Sequence, residues 1–134
     1  MTQHYGIDTS ILVRLVTGEP VQAYEAAVKH LTQMVENEGA QLMASNMVIG
    51  EAYIALQRHY GVSKLSAKSA LRSVLTSGLV QPVHGQAALD ALAATKGIGL
   101  LNRLTTGDYL AAALDTLTLD KKMASLPRTK QIKA

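Results

Sequence analysis

Four acidic residues stand where chemistry could use them: Asp8, Glu51, Asp108 and Asp120. Glu51 lies inside Asn46 to Tyr60, a stretch whose apolar spacing predicts an amphipathic helix. Its neighbours three and four positions away, which share its face, are Met47, Val48, Ile54 and Ala55, all apolar. A carboxylate aimed into such a face is costly unless an Arg, a Lys or a metal ion meets it there. The three aspartates each stand where a strand or loop is expected to pass into a helix. Asp8 ends His4-Tyr5-Gly6-Ile7 and opens Thr9 to Leu15; Asp108 follows Thr105-Thr106-Gly107 and opens Tyr109 to Leu114; Asp120 closes Thr116 to Leu119. Ligands of open α/β sheets collect beyond the carboxyl ends of strands, so these acids point to one hard cation held by oxygen. The same aspartates also suit helix N-caps, and Glu51 also suits a buried ion pair. Residue type and spacing alone therefore support an acidic site and no more.

The elements that must position these residues alternate along the chain. A strand over 4–8 leads into a helix over 9–16, and Pro20 can occupy the first turn of a second helix reaching about Asn37. Gln41 to Ala44 reads as a second strand, with Ser45 or Asn46 as the cap of the Glu51 helix and Gly61 as its stop. Ser63 caps a helix through about Leu75. Leu79 to Val83 reads as a short strand held to an edge or end by Pro82. Gln86 to Thr95 is helical, 97–104 has no clear pattern, and the Asp108 helix follows. A strand over 115–119 and an extended piece near 129–133 complete the series. Short strands separated by helices predict one α/β domain over 1–134, with a short, mostly parallel central sheet covered by helices on both faces.

Composition narrows the class. The 134 residues are 48% hydrophobic and 17% charged, with no Phe or Trp, so aliphatic packing is expected to dominate a globular core. The absence of cysteine excludes disulfides and thiolate zinc sites. No apolar run reaches the length of a membrane span, and the first residues lack the basic-then-apolar pattern of a signal peptide, so a cytoplasmic protein is expected. Net charge is +3, yet Lys121, Lys122, Arg128, Lys130 and Lys133 all fall in the last fourteen positions. A basic strip after an acidic centre suits a polyanionic substrate, with Lys121, Lys122 and Arg128 as phosphate candidates; a solubilising tail explains it equally well. The four histidines show no metal-ligand spacing, there is no phosphate-binding loop, and Gly97-Ile98-Gly99 reads as a turn.

Three blocks carry a resemblance to a known family. Tyr5 to Leu15, Ser45 to Leu56 with Arg58-His59-Tyr60-Gly61, and Gly107 to Ala113 with Thr116 to Pro127 resemble a PIN domain. In size and layout the chain is most similar to VapC-type toxins of toxin–antitoxin pairs. The resemblance implies a PIN-like fold and a Mg²⁺- or Mn²⁺-dependent ribonuclease in which Asp8, Glu51, Asp108 and, at a more variable position, Asp120 hold the metal. Ser10 falls where the family carries a small hydroxyl or amide residue near the metal. Carboxylates of this kind hold hydrated cations that lower the pKa of bound water and steady phosphorane charge. One departure stands out: the Asp108–Asp120 interval is shorter than in most relatives, so Leu114-Asp115-Thr116 must turn at once or the helix must be brief. Asp115 then becomes a rival for the role of Asp120.

An endoribonuclease acting on RNA, blocked by an antitoxin protein and paired as a homodimer, is what the resemblance implies. A catalytically weakened PIN-fold module that binds RNA or protein is the alternative. A DNA-directed nuclease differs from the first only in substrate.

Overall fold

Parallel strands cannot be joined by a tight turn, and in the three-stranded sheet a pair of helices makes each connection. The structure is a computed structural model that describes residues 3–133. Strand β1 (His4–Gly6) passes through α1 (Thr9–Thr17) and α2 (Val21–Glu38) to β2 (Gln41–Ala44). Strand β2 passes through α3 (Asn46–Tyr60) and α4 (Lys64–Leu75) to β3 (Gln81–Pro82). The three strands form a parallel sheet in the order β1-β2-β3, with His4 opposite Gln41 and Met43 opposite Gln81. Pro82, which has no N–H for a further ladder, sits on an edge strand as expected. Then come α5 (Gln86–Ala93), α6 (Leu100–Ala111), β4 (Thr116–Thr118), a 3-10 turn at Met123–Ser125 and β5 (Thr129–Gln131).

Helix α3 is the hub, packing against α1, α4 and α6. Its N-terminus is fixed by the Ser45 hydroxyl, which accepts from the Val48 amide at 3.1 Å, and its end by Gly61 at φ +64°. Ile49, Ala52, Tyr53 and Leu56, the i, i+3, i+4, i+7 stripe of a core-facing helix, are all buried. They join Leu12, Leu42, Ala44, Leu71, Val80 and Leu104 in one aliphatic core. Among the described residues, no helix is long and apolar enough to cross a membrane.

The chain is α/β, but the expectation of a single central sheet is corrected. Strand β4 pairs in parallel with β5 in a separate two-stranded sheet. The cause is the short link out of α6. The amides of Ala112, Ala113 and Leu114 all bond back into the last turn of α6, and Ala113 adopts φ +60°. That closed turn fixes the direction in which β4 leaves, and the C-terminal strands pair with each other.

Candidate acidic site

The carboxyl ends of the three parallel strands deliver three polar residues to one region: Asp8 after β1, Asn46 after β2 and His84 after β3. Helix α6 adds Asp108. An open pocket of about 570 Å³ lies between α3 and α6, bordered by Asn46, Glu51, Arg58, His59 and Asp108 and, from α1, by Thr9; Asp8 and His84 are not among its lining residues. Gly50 faces α6 at this approach: a Cβ there would meet Leu101 Cδ2 at 3.0 Å and Leu104 Cδ1 at 3.7 Å. Glu51 and Asp108 thus come to one pocket from positions far apart in the chain.

Glu51 is exposed, which corrects the expectation of a carboxylate buried in an apolar face. Helix α3 carries two apolar faces, and the one turned inward is the Ile49–Leu56 stripe. Met47, Glu51, Ile54 and Ala55 form the pocket wall instead, with Met47 71% exposed. The Thr9 hydroxyl donates to Glu51 Oε1 at 3.4 Å, linking the start of α1 to the pocket.

Asp8 is both a cap and a carboxylate with an oxygen to spare. The Ser10 hydroxyl donates to Oδ1 at 2.6 Å and the Ile11 amide donates to the same atom at 3.2 Å, while Oδ2 takes neither bond. Those two donors, the Ser10 hydroxyl foremost, hold the Asp8 carboxyl below its ordinary value of 3.8. Ser10, expected near a metal, is therefore a direct hydrogen-bond partner of Asp8.

Asp108 does not open a helix, as its flanking sequence predicted; it lies in the last turn of α6. A negative charge there faces the negative end of the helix dipole, so helix stability does not account for it. Its Oδ1 lies 3.1 Å from His84 Nε2. Asp120 borders neither this pocket nor its wall. It caps the 3-10 turn, accepting from the Lys122 amide at 2.8 Å and the Met123 amide at 3.3 Å. Asp115 is engaged by Arg128, whose Nε lies 2.5 Å from its carboxylate. Lys121 and Lys122 are exposed beside Asp120.

Among the described residues, no three Asp, Glu, His or Cys side chains gather closely enough to form a metal cluster. The pocket offers two carboxylates and one further oxygen of unusual character. Asn46 is 5% exposed; its Nδ2 donates to the Leu104 carbonyl at 3.0 Å, and its Oδ1 is buried with no partner. Such an atom costs about 1–3 kcal/mol when left unsatisfied. Hard oxygen donors of this sort fit Mg²⁺, which keeps several of its waters and binds through one or two carboxylates.

The sequence reading missed His84, Asn46, Arg58 and His59. Helical periodicity could have found the last two, since they lie seven and eight positions beyond Glu51 on the same face. Pairing of His84 with Asp108 needs the tertiary fold and has no local signal.

No protein-family model matches the chain, and no curated protein sequence matches it. Among solved structures, it is similar to a chain of VapBC2 from Rickettsia felis bound to a DNA fragment from their promoter. That alignment covers 96% of this chain and 98% of the other at 16% identity, with a TM-score of 0.45.

Proposed function

We propose that the protein is a divalent-metal-dependent endoribonuclease with a PIN-like fold, the toxin of a toxin–antitoxin pair. The observation that carries this reading is the delivery of Glu51 and Asp108, from two helices, to one open pocket beside an orphaned buried acceptor. Glu51 and Asp108 would hold a hydrated Mg²⁺ or Mn²⁺, with Asp8 at the edge of the site through its unengaged oxygen. When bound, the ion supplies a water of lowered pKa and charge stabilisation for phosphodiester hydrolysis. The chain's own residues do the rest: Ser10 fixes the Asp8 carboxylate, Thr9 orients Glu51, and Arg58 at the pocket wall offers a cation for an RNA phosphate. The resemblance noted in the sequence adds the expectation of a homodimer and of an antitoxin whose arginine enters the acidic pocket.

The test is cleavage of a structured RNA such as tRNA with Mg²⁺ or Mn²⁺ present. Activity should vanish with a chelator and return on adding back the metal. Wild-type protein that cuts no RNA with either ion overturns the nuclease reading.

One observation favours the second reading, a binding module with weakened catalysis: the acids of the site do not close into a three-ligand cluster among the described residues. RNA affinity that persists while a Mn²⁺ titration shows no binding selects that reading.

A further inference from the structure

Asn46 occupies a position that its neighbours do not explain. It is the first residue of α3, where capping is already done by Ser45, and it is nonetheless almost fully buried. Its amide bridges to α6 through Nδ2 and the Leu104 carbonyl. The reverse orientation would set Oδ1 against that carbonyl, acceptor on acceptor, so the assignment of the two amide ends is fixed by chemistry. Nδ2 also lies over Gly107, where a Cβ would come within 3.4 Å of it. Oδ1 consequently lies at the end of the amide turned away from that carbonyl. Among the described residues it is the one buried side-chain oxygen or nitrogen without a hydrogen-bond partner.

Asn46 borders the same pocket as Glu51 and Asp108. A lone acceptor beside two carboxylates selects a donor and repels an anion, so neither a phosphate oxygen nor another carboxylate satisfies it. A water polarised by a divalent cation is the donor that suits all three groups at once. Resting on the metal-dependent reading above, we infer that Asn46 is a positioning residue of this site. Its Oδ1 accepts a hydrogen bond from a water carried by the cation that Glu51 and Asp108 hold, while its Nδ2 ties that water to the α3–α6 contact.

The experiment is a Mn²⁺ titration of the full chain by calorimetry, with thermal unfolding in chelator and in excess Mn²⁺. Asn46→Ala removes donor and acceptor, whereas Asn46→Asp keeps an acceptor and loses only the donor to Leu104. Asn46→Ala should weaken Mn²⁺ binding about 10- to 100-fold, the range for partners that orient metal-bound groups, and shrink the Tm rise that Mn²⁺ causes. Asn46→Asp should bind Mn²⁺ at least as tightly as wild type while melting earlier in chelator. Equal Mn²⁺ affinity in wild type and Asn46→Ala overturns the inference and leaves the metal site standing; Asn46 is then only a brace between helices. A wild-type chain that binds no Mn²⁺ overturns the metal-dependent reading itself. If Asn46→Ala does not fold, the wild type decides: its Asn46 side-chain amide resonances must shift saturably with Mg²⁺, and unmoved resonances overturn the inference.

Discussion

At the scale of single residues, Glu51 and Asp8 make opposite demands on the experimenter. Glu51 is exposed and makes a single long hydrogen bond with Thr9, so Glu51→Gln should leave the melting curve unchanged. If it holds the metal, the same change should lower RNA cleavage by about 10³-fold, since several kcal/mol of transition-state stabilisation depend on the ion. Full activity in Glu51→Gln removes this residue from the site. Asp8 couples to stability as well. Its carboxyl titrates below 3.8 because the Ser10 hydroxyl and Ile11 amide favour the charged form. A depressed folded-state pKa means that the contribution is fully present above the unfolded value and fades as pH falls through the folded one. Ser10→Ala should therefore raise the Asp8 pKa toward 3.8 and flatten the acid limb of the stability curve. Carboxyl NMR titration of the two proteins measures this directly, and an Asp8 pKa unchanged by Ser10→Ala contradicts it.

At the scale of elements, the approach of α3 to α6 decides whether Glu51 and Asp108 share a pocket. Gly50 faces α6 there. An added methyl meets Leu101 Cδ2 at 3.0 Å, but Leu101 is 44% exposed and can swing aside. Gly50→Ala should thus change stability by less than about 1 kcal/mol, crowding being offset by better helix propensity. Gly50→Val has no such relief and should cost about 1–3 kcal/mol by overpacking while weakening Mn²⁺ binding. Chemical denaturation and Mn²⁺ titration of both variants check the pair. Elements of this kind were legible in the sequence where local chemistry dominates. Ser45, Ser63 and Gly61 mark the ends of α3 and the start of α4 as read. The start of α6 was hidden because Thr105-Thr106-Gly107 has the composition of a breaker. In the fold the two hydroxyls bond back to the Leu101 and Arg103 carbonyls, Thr106 is buried, and Gly107 packs against Asn46. Tertiary packing overrides propensity there. The same limit applies to Glu51: spacing shows an apolar surround but not which of two apolar faces turns inward. Asp8 was read as a cap or a ligand, and the geometry leaves room for both, one oxygen each.

At the scale of the whole molecule, the aliphatic core runs from Ile7 to Leu104 and, among the described residues, takes nothing from those after Leu104. Strands β4 and β5 and the 3-10 turn between them pack chiefly on one another, with Met123 and Thr116 as their buried members. Leu114, Leu117 and Leu119 stay more than half exposed. This part of the chain also carries Asp120, Lys121, Lys122 and Arg128, the residues whose roles rest most on sequence position. A chain ended after Leu114 should therefore fold cooperatively with a melting temperature close to that of the full protein, because no core side chain is lost. Its consequences for RNA separate two accounts of the basic strip. If Lys121 and Lys122 neutralise phosphates, truncation should weaken RNA binding and reduce the salt slope by roughly 0.7 per lost phosphate contact on single-stranded RNA. Arg128 should contribute less than either lysine, since Asp115 already holds it. If the strip only solubilises the chain, affinity and slope should both survive. Fluorescence anisotropy of one labelled RNA across a salt series, on both proteins, distinguishes these outcomes. Truncated protein that unfolds would instead show that β4 and β5 stabilise the core through contacts weaker than those of its helices.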